Sequence, residues 1–528
     1  MAYTTGNDYH TLHHTGMPSF PCPQCGKRFA STSAMRLCLA AHAGKVADAA
    51  GDRGGDAKTL FGAFARASGM PAVLAAFDAL LQGAEAAAAT MGPAGNRPRA
   101  TLASIGEYTA GIYAARQLFS TLAARYSEDS GEYAAAPLSG TSVLVVGAGP
   151  AGLRCAIELA FLGASVTVLE RRADFTRNNI VLLWSSSIAD LLALGCKTFY
   201  PPIGVGDRSH LGLRRLQQVL LQVALLAGVT VQPGMRFEGL VPDEATGGTA
   251  APSRRQARVL ASDGTRQTIA FDHLIGADGE TSNVSPACGF GREVFQGGEA
   301  IGLTVNFVNR RSPPELALNE VSFAVQYNRA YFQRLAEATG GVRFENLCYY
   351  QAETHYVVCT PQRKGLLAAG VLRRCHKGTA ALLQHDNVDA DKLHGLCHSI
   401  GGYIGIPGDA DLALAPEGTP DVALFDFSSK SQATTACVDL HGRCMAHLVG
   451  DALLAPFWPQ GTGANRAMLS ALDTAHFILQ LGDRSGSADH GACCRQRDAT
   501  FAALKLTLAD GVKDALSLDP SVRYALMQ

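Results

Sequence analysis

Hydrophobic and polar positions change period several times along this chain, and each change marks an element. Between Thr141 and Arg172 (TSVLVVGAGPAGLRCAIELAFLGASVTVLERR) a β-branched run gives way to a glycine-rich turn. An alanine- and leucine-rich stretch at helical spacing follows, and a second β-branched run closes on Glu170. That order predicts strand, tight turn, helix, strand. Upstream, from Thr59 to about Tyr133, alanine-rich sequence carries Val73, Phe77, Leu80 and Leu81 at helical spacing, which predicts several packed helices broken at Gly92–Pro98. Downstream, Leu213, Leu216, Leu220 and Val223 predict a long helix over Leu211–Leu226. Strands are expected near Val229–Gln232, Ala257–Ala261, Ile301–Val308 and Tyr356–Thr360, and a helix from Gly463 to Leu481 with helical sequence to the end. Residues 45–58 and 243–254, rich in Gly, Ala and charge, read as a linker and a surface loop. No internal repeat interrupts this pattern.

The periods predict an α/β fold with a Rossmann-type nucleotide domain, an inserted β-rich second domain and flanking helices. At 528 residues the chain should hold two to four domains, taking roughly 150 residues for each. Its 47% hydrophobic content supplies a large core, and a net charge of −1 offers no bulk basic field for nucleic acid or anionic membrane. The apolar runs stop well short of the ~20 residues that span a bilayer. The 14 cysteines are scattered, apart from one N-terminal cluster and Cys493–Cys494. That distribution fits a reducing compartment, so a cytoplasmic location is expected, with a nuclear share left open.

Chemistry enters at the first turn. Gly147, Gly149 and Gly152 fill a G-x-G-x-x-G between a strand and a helix. Gly147 allows the sharp turn, Gly149 lets backbone approach a pyrophosphate, and Gly152 lets the helix pack closely. The helix N-terminus favours phosphate, and Glu170 can accept hydrogen bonds from a ribose. Two further apolar strands end in an acid and a glycine: Phe271 to Asp278-Gly279, and His447 to Gly450-Asp451. Either alone is an ordinary turn. Together and in this order the three motifs resemble the group A flavoprotein monooxygenases. By that resemblance the first motif binds the ADP of FAD and Asp451 holds the ribityl chain. No second G-x-G-x-x-G appears, which fits a group in which NADPH has no Rossmann domain of its own.

A closer resemblance rests on Asp174-Phe-Thr-Arg-Asn-Asn-Ile-Val-Leu-Leu-Trp184, Leu194 to Tyr200, Leu213-Arg-Arg-Leu-Gln217, Ala300 to Asn309, Phe344 to Tyr350, Thr354-His-Tyr356 and Pro456-Phe-Trp-Pro459. These segments resemble the MICAL flavin monooxygenases over roughly residues 59–485. The resemblance implies that Glu170, Arg172, Arg177 and Asn179 contact FAD, that Asn179 and Trp458 lie beside the flavin ring, and that Tyr350 and Tyr356 line the cavity. Ala151, Arg171, Gln217, Phe237, Asp278, Gly279, Asp451, Gly461 and Gly463 complete the expected cofactor set. The implied reaction is reduction of FAD by NADPH and addition of O2 at flavin C4a. The hydroperoxide then passes one oxygen to a methionine thioether on actin, giving the sulfoxide. His355 is expected to be structural. Ala151 stands where the family commonly has Cys, and Gln460 where Leu is usual. The calponin-homology and LIM modules of animal members are not expected in the residues after the match. Two other readings stay open: a group A hydroxylase or H2O2-producing NADPH oxidase on a different substrate, and a flavin-binding zinc-finger adaptor with vestigial catalysis.

Near the N-terminus, Cys22, Cys25, Phe29, Met35, Cys38 and His42 match C-x2-C-x3-F-x5-L-x2-H-x3-H with Cys and Met substituted. The pattern resembles a C2H2-type finger in Cys3His form, a small ββα unit folded around structural Zn2+. So short a segment needs the metal, which contributes on the order of 10 kcal/mol. The helix positions that would face bases, Ser31, Ala34 and Leu37, include no residue able to make a bidentate base contact, so a protein partner is expected rather than nucleic acid.

The expected layout is a finger with a loose tail over 1–44, a linker over 45–58, and a helical region over 59–140. The FAD-binding domain is expected in two segments, 141–295 and 422–485, with the β-rich second domain inserted between them over 296–421. C-terminal helices are expected over 486–528.

Overall fold

The computed structural model describes residues 56–88, 97–126, 131–133, 135–205, 209–242, 254–297, 300–415, 418–440, 444–456, 461–483, 490–507, 517 and 519–524. It also describes two short strands, Phe20–Pro21 and Arg28–Phe29. The strands of the two main sheets are, in chain order, β1 (Ser142–Val146), β2 (Ser165–Glu170), β3 (Thr230–Pro233), β4 (His273–Gly276), β5 (Ile301–Val308), β6 (Val321–Ala324), β7 (Phe344–Gln351), β8 (Thr354–Pro361), β9 (Val422–Asp426), β10 (Cys437–Asp439) and β11 (Met445–Leu448). Three helices matter most here: α1 (Pro150–Phe161), α2 (Leu213–Leu226) and α3 (Gly463–Asp483).

The first sheet runs β10-β11-β4-β1-β2-β3. It is parallel from β11 to β3, with antiparallel β10 at one edge. Parallel strands buried on both faces read as continuous apolar runs, and Val143, Leu144, Val145 and Val146 are all buried. Helix α1 is buried on every side, from Ala151 to Phe161. Its two charged residues therefore need partners inside the protein. Arg154 grips both oxygens of Asp190 through Nε and Nη2, at 2.7 and 3.0 Å, and its Nη1 lies 2.7 Å from Glu158. Arg125 adds a contact to Asp190 at 2.8 Å, while Tyr126 and Tyr133 donate to Glu158. These cations hold the Asp190 carboxyl down to about 2 against the upward push of burial.

Arg125 and Tyr126 belong to the helix Tyr113–Tyr126, so the same cluster fastens the N-terminal helical region to the nucleotide domain. That region comprises helices Ala57–Arg66, Met70–Ala88, Arg97–Tyr108 and Tyr113–Tyr126. Gln222 of α2 donates to the Phe64 carbonyl at 2.7 Å, and Asp174 accepts from Met70 N–H at 2.7 Å.

The second sheet runs β6-β7-β8-β5-β9 and is antiparallel throughout. Its hydrophobic core packs it against helices Arg329–Ala338 and Ala390–Ile404, so the inserted domain is mixed α/β where the sequence predicts mostly β. Strand β9 corrects the expected boundary at 421. Val422–Asp426 pairs with Ile301–Val305 in this sheet and does not open the returning half of the first domain. The long helix also starts later than expected: His210–Gly212 pairs with Ile180–Leu182, and α2 begins at Leu213. The loop expected at 243–254 lies outside the described residues except for Arg254. No described helix is long and apolar enough to cross a membrane.

Candidate FAD site between the two domains

The cavity opens where β1 meets α1. Gly147 has φ 110°, and a Cβ there would lie 2.4 Å from the Ala277 carbonyl oxygen. A Cβ on Gly152 would lie 2.0 Å from the Gly147 carbonyl oxygen. The third glycine therefore lets the first helical turn close onto the glycine turn itself, and it does not line the cavity. Gly149 is different: a Cβ would come no nearer than 4.0 Å to the Ala277 oxygen, so its open side belongs to the cavity. No side chain caps α1, and its N-cap Gly149 and first residues Pro150 and Ala151 line the cavity, so the positive end of its dipole faces that space.

Glu170 ends β2 beside this turn and is 7% exposed. It accepts from Ala148 N–H and Arg172 N–H, both at 3.0 Å, so its carboxylate braces the turn as well as lining the cavity. Gln217 donates to the Ala148 carbonyl at 3.1 Å from the opposite wall. Arg171, Arg172, Arg177, Ala151 and Phe237 also line the space.

Asp278 lies at the end of β4. Its Oδ2 accepts from Asn283 and Val284 N–H at 2.6 and 3.2 Å, whereas Oδ1 is buried with no hydrogen-bond partner. Burial pushes its carboxyl up. A buried acceptor left open on a cavity wall fits a ligand hydroxyl or amide N–H. Gly279 follows at φ 85°. At the end of β11, Gly450 has φ 62°, and a Cβ on it would lie 2.9 Å from the Ala151 methyl. The late Gly-Asp turn thus packs directly on the first turn of α1. Asp451 lines the cavity beside Arg177. Burial pushes its carboxyl up to about 6, although the Arg177 charge opposes this.

The far wall comes from the second sheet. Asn179 donates to the Tyr356 hydroxyl at 3.0 Å, and Tyr350 stacks on His210 with ring centroids 4.1 Å apart. Tyr350↔Tyr356 is a cross-strand pair of β7 and β8, which puts both on the cavity face with Cys348 and Val358. Their neighbours Tyr349 and His355 point the other way and bond to each other at 2.9 Å, with Glu315 closing the chain at 3.2 Å. His355 is fully buried, away from the cavity.

Gly461 and Gly463 line the remaining side at the start of α3. Trp458 lies outside the described residues, as do all four expected zinc ligands, Cys22, Cys25, Cys38 and His42. Among the described residues no group of His, Cys, Asp and Glu is arranged to hold a metal. One residue absent from the sequence-based set is Asn465, fully buried on α3. It accepts from Trp184 N–H and the Ser187 hydroxyl at 2.7 and 2.8 Å and donates to the Leu182 and Gly461 carbonyls at 2.8 and 3.1 Å. A lone amide on the apolar face of α3 was its only signal.

The residues present suit a dinucleotide: a glycine cradle, an uncapped helix, an open buried acceptor and a row of arginines. Comparison with known proteins agrees. A model described as FAD binding domain matches residues 140–179, and one described as Mical, Rossman domain matches residues 299–426. The second match is the antiparallel domain. [F-actin]-monooxygenase Mical of Drosophila melanogaster is 38% identical over 399 residues, 74% of this chain and 8% of that protein. Protein-methionine sulfoxide oxidase mical3a of Danio rerio is 37% identical over 400 residues, 73% of this chain and 19% of its own length. [F-actin]-monooxygenase MICAL1 of Rattus norvegicus is 37% identical over 422 residues, 78% and 39%. The chain thus spans well under half of these relatives. Among solved structures, the flavin-dependent halogenase CmlS aligns over 69% of this chain and 63% of its own at 16% identity, with a TM-score of 0.49. Through its FAD-binding and Mical Rossman domains, this chain belongs to the MICAL flavin monooxygenase family.

Proposed function

We propose that this protein is an FAD-dependent, NADPH-consuming monooxygenase that oxidises protein methionine to the sulfoxide, with actin as its substrate and a cytoplasmic, cytoskeleton-associated place of work. The observation that carries the reading is the composition of one cavity. Its nucleotide end is built by Gly147, Gly149, Glu170 and Asp278, and its other end by Tyr350 and Tyr356 of the Mical-type domain. The names of the relatives supply the substrate: two act on F-actin and one is a protein-methionine sulfoxide oxidase.

FAD, when bound, supplies hydride acceptance and oxygen activation; the polypeptide supplies the rest. Glu170 fits the ribose, and the N-terminus of α1 with Arg171, Arg172 and Arg177 fits the pyrophosphate. Asp278 and Asp451 offer acceptors to ribityl hydroxyls. Gly461, Gly463 and the start of α3 would offer positive potential to the ring from the remaining side of the cavity. Ile180, Cys348, Tyr356 and Val358 form an apolar wall that excludes water from the reacting side and accommodates a thioether. Burial pushes the Tyr350 and Tyr356 hydroxyls up, so both stay protonated and available as donors.

The decisive test is NADPH oxidation with and without F-actin, followed by mass analysis of the actin. Acceleration together with a gain of sulfoxide mass supports the proposal. Steady H2O2 release with no effect of actin favours the oxidase or hydroxylase reading, and a protein that binds flavin yet consumes no NADPH favours the adaptor.

We also propose that Cys22, Cys25, Cys38 and His42 hold a structural Zn2+ and that the finger docks a protein. The antiparallel pairing of Phe20 with Phe29 and Pro21 with Arg28, on either side of Cys22 and Cys25 in the sequence, supports this. One zinc per chain, lost on Cys25→Ser with flavin content unchanged, is the expected result.

A further inference from the structure

Arg177 and Asn179 both line the cavity, yet the residue between them does not. In the segment 175–179, which has no regular secondary structure, Asn178 turns away and reaches the second domain. Its Nδ2 donates to Asp421 Oδ2 at 2.6 Å, and its Oδ1 accepts from Arg214 Nη1 at 2.9 Å. The same Asp421 oxygen accepts from Asn306 Nδ2 at 3.0 Å, and Asn306 Oδ1 accepts from the Thr354 hydroxyl at 2.6 Å.

The chemistry fixes the direction of every link. A guanidinium only donates and a carboxylate only accepts, so the Asn178 amide has one orientation that satisfies both ends. The Asp421 backbone is anchored on both sides: its N–H donates to the Ala413 carbonyl at 2.7 Å, and its carbonyl accepts from Asn306 N–H at 3.1 Å. The chain Arg214–Asn178–Asp421–Asn306–Thr354 therefore joins the start of α2, the cavity loop, β5 and β8. Tyr356, bonded to Asn179, lies two residues along β8 from Thr354.

We propose that Asp421 is a positioning residue that locks the loop carrying Arg177 and Asn179 onto the second domain, and so sets how completely NADPH consumption is coupled to substrate oxygenation. The proposal rests on the monooxygenase reading. Asp421 does not line the cavity, so it acts through Asn178. A loop shift of ~1 Å at reacting groups can cost on the order of a hundredfold in rate.

The test compares wild type, Asp421→Ala, Asn178→Ala and the double variant, each purified with its flavin. In Asp421→Ala both amide donors, Asn178 Nδ2 and Asn306 Nδ2, lose the oxygen they share. In Asn178→Ala the loop loses its anchor while Asp421 keeps Asn306, which guards against a folding failure confined to the first variant. Flavin content, NADPH consumption, H2O2 release and substrate sulfoxide are measured. The expected result is flavin content near wild type, a kcat for sulfoxide formation lowered about tenfold with KM for NADPH little changed, and more H2O2 per NADPH. The double variant should be no worse than Asp421→Ala alone, because that change already cuts the link to Asn178. A loss of stability alone would leave the H2O2 to NADPH ratio where it was. A yellow wild type whose variants share its kcat and ratio overturns this proposal alone; a colourless wild type overturns the flavin reading and this proposal with it.

Discussion

Asn179 and Tyr356, 177 positions apart, meet side chain to side chain at 3.0 Å on the cavity wall. The contact pins the loop that follows β2 to β8 of the second domain at the place where the ring system of a flavin is expected. Tyr356→Phe removes the acceptor of the half-buried Asn179 amide, and losing such a hydrogen bond costs roughly 0.5–1.5 kcal/mol. Flavin content should hold while turnover drops about tenfold, as expected when a positioned group shifts. Turnover equal to wild type would separate this pair from the working cavity.

Asp451 gives a pH dependence with a definite sign. Its carboxyl, at about 6 in the folded chain against an ordinary 3.8, is more protonated than in the unfolded chain between those values. Stability of the flavin-free protein should therefore decline as pH rises from about 4 to 6 through this group. Flavin affinity should move the opposite way, because a ribityl hydroxyl donates to the ionised form. Fluorescence titration should show binding weaker by about tenfold at one pH unit below its pKa. Asp451→Asn should weaken binding at pH 7 and flatten this part of the profile.

Two glycines of the first turn, Gly149 and Gly152, should separate in their effects. Gly152→Ala places a methyl 2.0 Å from the Gly147 oxygen, where backbone must move. A cost of roughly 1–3 kcal/mol is expected. Gly149→Ala meets nothing closer than 4.0 Å and should leave thermal stability close to wild type while lowering flavin affinity. Melting curves paired with flavin occupancy decide both. If the two variants melt alike, the close approach at Gly152 is not limiting.

Arg154→Met removes the cation that bridges Asp190 and Glu158 inside α1. Only Arg125 then remains beside two buried carboxylates, and breaking such a cluster costs about 3–5 kcal/mol. Denaturant unfolding should show that loss. Because Arg125 belongs to the N-terminal helical region, limited proteolysis should cut there first.

Trp458→Ala should retain flavin yet lose most turnover, following the placement of this ring beside the flavin by resemblance. Normal turnover in this variant would refute that placement. Absorbance of the purified variant and its NADPH oxidation rate are the measurements.

Local periodicity made the nucleotide half of the fold legible. The run from Thr141 to Arg172 folds as strand, turn, helix and strand because each segment has one dominant period and glycine marks the break. Strand β5 was readable to its end residues for the same reason. The second domain was harder. Its helices Arg329–Ala338 and Ala390–Ile404 are mixed in polarity, and β9 is short and only partly buried, so no local signal assigns it to β5. The candidate cavity residues came from short motifs, and Gly147, Gly149, Asp278, Gly279, Gly450 and Asp451, from three of them, line one space. The residues that hold them together did not show. Asn465 lies 281 positions from Trp184, and Asn178 lies 243 from Asp421; polar pairs at such separations have no periodicity to announce them. Arg154 and Glu158 interrupt an otherwise apolar helix, but Asp190 and Arg125, which complete their cluster, lie on other elements.

The order β10-β11-β4-β1-β2-β3 has a consequence for synthesis. When the ribosome has delivered β1 to β4, the edge of β4 is bare, and its hydrogen-bonding partner β11 is still more than a hundred residues from emerging. An unpaired, apolar parallel edge invites adhesion between nascent chains. The inserted domain must fold during that interval and return the chain to the waiting edge. A polypeptide halted before Met445 should therefore be sticky and unable to retain a nucleotide, even though it carries the whole glycine fingerprint.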